Sequence, residues 1–155
     1  MSTTSIPRQQ FDSPPATGER TIRVLLIEDD DADHRRLRLA LDKSTRNFLV
    51  ERVATLREAT QSLAANSPDV VVLDLGLPDG QGLENLHVVQ PLAPEAPVVI
   101  LTGMDDPGLT VEALNHGAQD VVSKDDLNDQ LIVKSLTYAI QRKMSEVRLR
   151  QGLDE

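Results

Sequence analysis

The sequence contains no cysteine. That excludes disulfides, thiolate metal sites and cysteine nucleophiles, and it fits a reducing, cytoplasmic setting. Aromatic residues are almost as scarce, at 2% of 155 residues against 39% hydrophobic overall. The core must therefore be aliphatic, built from Val, Leu, Ile and Ala. Positive charge is in the minority: 16 Lys and Arg face 25 Asp and Glu, a formal net charge of −9. With an isoelectric point of about 4.7, such a chain is repelled by nucleic-acid backbone and by anionic lipid, so neither is an expected partner. No segment approaches the roughly 20 apolar residues of a membrane span, and the N-terminus lacks a signal peptide's apolar stretch.

What is present is an alternation of strand-like and helix-like segments. Residues 1–20 are rich in Ser, Thr, Gln and Pro without periodicity and read as a mobile tail. Ile22 to Ile27 is an apolar strand ending in Glu28-Asp29-Asp30-Asp31, followed by a helix over Ala32 to Lys43. Phe48 to Ala54 is a more mixed strand, suited to a sheet edge. Thr55 caps a helix over Leu56 to Ala65, with Glu58 completing a capping box. Val70 to Leu73 is a short unbroken apolar run, as expected of a strand buried on both faces of a parallel sheet. It stops at Asp74, and Pro78-Asp79-Gly80 turns the chain away. Further segments are a helix from Gly82 to Gln90, a strand over Val98 to Leu101 ending at Thr102-Gly103, and a helix from Gly108 to His116. A short strand at Val121-Val122 precedes Ser123-Lys124, and the last helix runs from Leu127 to Arg150. Five strands alternating with five helices imply a doubly wound α/β fold with right-handed crossovers.

In such a fold the strand ends carrying Glu28 and Asp29, Asp74, Thr102 and Lys124 share one crevice. Taken singly these residues are ordinary: an acidic helix start, a turn Asp, a Thr-Gly turn, a surface Lys. Together they have a chemical logic. Three clustered carboxylates are comfortable only beside a cation, and Asp29, Asp74 and a backbone carbonyl are hard oxygen ligands suited to Mg²⁺. A carboxylate beside a metal can act as nucleophile toward a phosphoryl group, whose oxygens an ammonium and a hydroxyl would then stabilise.

The order Glu28-Asp29, D-L-G-L-P-D-G-Q-G at Asp74, L-T-G at Thr102 and a Lys after a short fifth strand resembles the receiver (CheY-like) domain of two-component response regulators. The resemblance covers residues 21 to 140 and leaves 141–155 as a C-terminal helix extension. It implies a flavodoxin-like sheet of strand order 2-1-3-4-5. It also implies phosphorylation of Asp74 by a sensor histidine kinase or a phosphotransfer protein. Asp29, Asp74 and the Gly76 carbonyl would hold Mg²⁺, Glu28 would reach it through water, and Thr102 and Lys124 would hold the phosphoryl oxygens. The output would be a phosphorylation-dependent surface around the fourth helix, fifth strand and fifth helix, presented to an unidentified downstream protein, without a DNA-binding output domain.

Three departures from the family pattern stand out. Asp125, not Pro, follows Lys124; Val121 stands where an aromatic switch residue is usual; and Gly76 and Met104 offer no polar side chain to orient a hydrolytic water. The last point implies a long-lived acyl phosphate. Leu136, Ile140, Met144 and Val147 form a stripe that suits a homodimer through the last helix or a lead-in helix to a downstream module, or else a frayed, solvated helix end. His34, His87 and His116 read as lone surface residues, and Asp79, Asp105 and Asp106 as an acidic rim. A competing class is a phosphohydrolase of the haloacid dehalogenase type with Asp29 as nucleophile, which would leave Asp74 idle. A receiver that binds partners without being phosphorylated is a third.

Overall fold

The computed structural model describes residues 20–103 and 106–152, so the expected tail before Arg20, and also Met104 and Asp105, lie outside the described residues. The elements are β1 (Ile22–Ile27), α1 (Asp31–Asp42), β2 (Phe48–Val53), α2 (Leu56–Ala65), β3 (Val70–Asp74), α3 (Glu84–Val89), β4 (Val98–Thr102), α4 (Pro107–Asn115), β5 (Asp120–Ser123) and α5 (Asp129–Arg150). The five strands pair in parallel in the order β2-β1-β3-β4-β5, the flavodoxin-like arrangement anticipated above.

Alternation along each strand sends side chains to opposite faces. Leu25, Ile27, Val71, Leu73, Val98 and Ile100 pack beneath α2, α3 and α4. Val24, Leu26, Val70, Val72, Val99 and Leu101 pack beneath α1 and α5, where Leu37, Ile132 and Leu136 are fully buried. β3 and β4 are buried throughout, while every residue of β2 is only partly buried, as suits an edge. Both layers are aliphatic; Phe48 only fringes the second.

Local chemistry accounts for the helix ends. Thr55 Oγ1 accepts from the Glu58 N–H at 3.0 Å, and Glu58 Oε1 accepts in return from the Ala54 N–H at 2.7 Å, one residue before the usual target of a capping box. Gly117 has φ +106°, so it terminates α4 without strain. Two boundaries differ from the sequence reading by two residues, the others by one or none. α3 begins at Glu84 rather than Gly82, because Gly82 has φ +69° and belongs to the preceding turn. α5 begins at Asp129, capped by the Asn128 side chain, because Lys124–Asp126 first form a 3₁₀ turn. The Ser123 hydroxyl accepts from the Asp125 N–H at 3.2 Å there, and among the described residues no peptide bond is cis. Among the described residues, no helix is long and apolar enough to cross a membrane.

Candidate functional site

β1 and β3 are parallel neighbours, so their carboxyl ends bring Glu28, Asp29 and Asp74 together. Carboxylate oxygens of these three lie within 4.8 Å of one another. Asp29 is exposed, whereas Asp74 is 8% exposed and Glu28 is fully buried. Thr102, also buried, ends β4 one residue beyond Leu101, the partner of Asp74, and stands in register with Ser123. Gly103 approaches the stem of Lys124: a Cβ added there would lie 4.0 Å from Lys124 Cδ. Lys124 reaches back over the strand ends, its Nζ 3.1 Å from Asp74 Oδ2 and 3.0 Å from Glu28 Oε1.

The loop after Asp74 is built to hold that residue still. Gly76–Leu77 and Gly80–Gln81 pair as a two-residue antiparallel ladder across the Pro78-Asp79 turn. The Gly76 N–H donates to Asp74 Oδ1 at 3.0 Å. Asn85, fully buried at the start of α3, donates from Nδ2 to the Asp74 carbonyl at 3.3 Å and to the Gly80 carbonyl at 3.1 Å. These bonds leave Asp74 Oδ2 as the oxygen turned toward Lys124.

Burial, together with a hydrogen bond to Asp74, pushes the Glu28 carboxyl up to about 7, although the Asp30 N–H and Lys124 oppose the shift. Burial would lower the Lys124 ammonium, but Asp33, Glu28 and Asp74 outweigh it and hold it above its ordinary value. Glu28 Oε1 lies close to Lys124 Nζ as an ion pair, yet it receives no aligned hydrogen bond. A buried carboxylate oxygen of that kind, beside two further carboxylates, fits a hard divalent cation that keeps part of its water shell. The donor set is therefore compatible with Mg²⁺.

Several participants escaped the sequence reading. Asp33, in the first turn of α1, has Oδ2 2.7 Å from Lys124 Nζ. Its signal was its place four residues before the buried Leu37, on the inward face of the helix. Asp79 is not merely part of an acidic rim. Its carboxylate accepts from the Leu56 and Arg57 N–H groups at 2.8 and 3.0 Å, capping α2 from across the loop. Asp106 caps α4, whereas Asp30 caps α1 as the acidic helix start in the sequence suggests. His87 and His116 are not isolated either: their rings meet edge to face, with centroids 5.0 Å apart.

The Asp79 contacts carry a pH prediction. The hydrogen bond from the Leu56 N–H leads the effects that hold this carboxyl below its ordinary value. A depressed carboxyl stabilises the fold above its unfolded pKa and loses that contribution as pH falls through the folded one. Asp79→Ala is therefore expected to lower the thermal midpoint at neutral pH. The gap from wild type should close in acid, below the depressed pKa; a gap that persists there would show that Asp79 acts by another route.

The sheet order and the acidic strand ends define a flavodoxin-like signalling domain. The chain belongs to the response regulator receiver domain family, whose model matches residues 24–136. It is similar to the transcriptional regulatory protein KdpE of Mycobacterium tuberculosis, 35% identical over 132 residues, which are 85% of this chain and 57% of that protein. It is also similar to the regulatory protein LuxO of Vibrio cholerae, 38% identical over 96 residues, 62% of this chain and 21% of that one. The chain thus spans less than two thirds of either relative. Among solved structures, a signal receiver domain from Vibrio parahaemolyticus superposes with a TM-score of 0.70 at 27% identity, covering 83% of this chain and 97% of that one. A CheY-like receiver from Methanospirillum hungatei shares the fold, with a TM-score of 0.69 at 24% identity over 81% and 98% of the two chains. Receiver domains serve signalling rather than metabolism, bind Mg²⁺ at an acidic site, and meet histidine kinases or phosphotransfer proteins.

Proposed function

We propose that this receiver accepts a phosphoryl group on Asp74 from a phosphohistidine of a sensor kinase or phosphotransfer protein. The observation that carries the reading is the placement of Asp74 Oδ2 3.1 Å from Lys124 Nζ, beside the oxygens of Glu28 and Asp29. An Asp74 carboxylate oxygen forms the new bond to phosphorus while the bond from phosphorus to the imidazole nitrogen breaks. The phosphohistidine ring enters protonated on its other nitrogen, so the bonding pair returns to nitrogen, the imidazole leaves neutral and the phosphoryl charge stays on the receiver. Lys124 and the Thr102 hydroxyl meet that charge as it moves, and the Gly76 N–H and Asn85 keep the acceptor oriented. Asp29, Asp74 and the Gly76 carbonyl, with Glu28 reaching it through water, would hold Mg²⁺, which would supply positive charge against that of the carboxylates and the phosphoryl group.

Residues 21–140 form the receiver in this reading and 141–155 extend its last helix. Val111 and Leu114 on α4 and Tyr138 on α5 are large apolar side chains left exposed, which supports output through the face formed by α4, β5 and α5. Met144, half exposed beyond Ile140, supports self-association along α5. A chain ended at Ile140 is expected to lose any dimer seen by light scattering, and an unchanged mass distribution would remove that part. The assignment as a whole is tested with a small-molecule phosphodonor and Mg²⁺. The modified residue is expected to map to Asp74; a label on Asp29 would favour the dehalogenase-type chemistry.

A further inference from the structure

Three carboxylates surround the Lys124 ammonium, and the shortest contact is not to the proposed acceptor. Asp33 Oδ2 lies 2.7 Å away, against 3.0 Å for Glu28 and 3.1 Å for Asp74. Asp33 sits one helical turn before Leu37, whose burial turns this face of α1 inward. Arg36, on the same turn, touches both parties. Its Nη1 is 3.7 Å from Asp33 Oδ1, and its Nη2 donates to the Lys124 carbonyl at 2.7 Å. α1 therefore grips the junction of β5 and α5 twice, by the ammonium and by the backbone of one residue.

We infer that Asp33 is a positioning residue that competes with the phosphoryl group for Lys124, so that α1 sets how readily the site takes up and keeps its charge. The inference rests on the assignment of Asp74 as acceptor. Lys124 carries a single positive charge already shared among three carboxylates, so a phosphoryl oxygen draws on it fully only as one of them loosens. Asp74 stays beside the ammonium because it carries the phosphoryl group, and releasing Glu28 would leave a fully buried carboxyl without its cation, which is costly. Asp33 has a side chain 18% exposed and a second cation in Arg36, so it is the partner given up at least cost. Its carboxylate also repels an incoming anion. When Asp33 turns to Arg36, the grip of Arg36 on the Lys124 carbonyl changes with it. Phosphorylation is thereby felt at α1, by a route that needs no aromatic ring at Val121.

The test is the affinity for beryllofluoride, a phosphoryl mimic, at saturating Mg²⁺, followed by fluorine NMR. Asp33→Asn is expected to bind about tenfold tighter than wild type, the equivalent of one strong charge-assisted contact less to break. Asp33→Glu, which restores the carboxylate, should return toward wild type. Arg36→Ala strips Asp33 of its alternative cation and is expected to bind about threefold more weakly, opposite in sign. A merely structural role would lower the melting temperature of both variants without producing affinity changes of opposite sign. Equal or weaker binding by Asp33→Asn, with wild type loading at Asp74, overturns the inference alone. Wild type that fails to load at Asp74 overturns the acceptor assignment, and the inference with it.

Discussion

Replacing Asp74 by Asn is expected to abolish phosphoryl uptake while leaving the protein folded. The amide is nearly isosteric with the carboxylate but keeps only one of its two acceptor oxygens, so it can serve the Gly76 N–H or Lys124 but not both, and Lys124 still has Glu28 and Asp33 beside it. What disappears is the nucleophilic charge, and no geometric compensation replaces it. Stability should hold or rise, because the substitution relieves the repulsion between Asp74 and the buried Glu28. Intact-mass measurement after exposure to a phosphodonor and Mg²⁺ reads the first effect, and a thermal melt the second. Uptake that survives in the variant would place the nucleophile elsewhere, with Asp29 the next carboxylate in line. The same experiment on wild type yields the lifetime of the acyl phosphate. Gly76, exposed and without a polar side chain to align a water, supports slow hydrolysis; a half-life of seconds on Mg²⁺-saturated protein would contradict it.

The second large effect is expected at Gly80, and it is one of stability. A Cβ at this position would collide with Asn85 Oδ1 and Leu56 Cδ1, and would stand 3.3 Å from Asn85 Cγ. Leu56 is a core residue at the start of α2, and Asn85 is fully buried, so neither can swing into solvent. Asn85 is also the side chain that ties the Asp74 carbonyl to the Gly80 carbonyl. Gly80→Ala must therefore shift the ladder, or push Asn85 away and leave two carbonyls without their donor. Overpacking of this kind costs roughly 1–3 kcal/mol, and loss of the Asn85 bonds adds to it. Urea unfolding should show the loss directly. Phosphoryl uptake by the folded fraction should slow as well, because the loop that orients Asp74 has moved. A variant as stable as wild type would mean that the loop gives way more easily than its packing indicates.

The parts of the molecule legible in the sequence are those whose signal is local. The Val70 to Leu73 run, its abrupt end at Asp74 and the turn after it read correctly because burial on both faces and turn chemistry leave marks within a few residues. Thr55 and Glu58 read as a helix start for the same reason. The start of α3 did not, since nothing in the letters distinguishes a Gly that opens a helix from Gly82, which holds a left-handed turn. The Ser123-capped 3₁₀ turn before α5 was hidden by an acidic run that suits either conformation. Least legible were contacts between distant segments. Asp33 with Lys124, Asp79 with α2, and His87 with His116 are separated by 91, 23 and 29 positions respectively. Each depends on register and crossover rather than on spacing, so only the assembled sheet brings the partners together.

The scarcity of aromatic residues has an optical consequence. With no tryptophan and one tyrosine in the chain, nearly all near-ultraviolet emission originates at Tyr138, which is 49% exposed on α5 with Lys134 Nζ 5.9 Å from its ring centre. The core is spectroscopically silent. An unlabelled sample thus carries a built-in lamp on one external surface, and any tryptophan-free protein that settles there would announce itself by altering that emission.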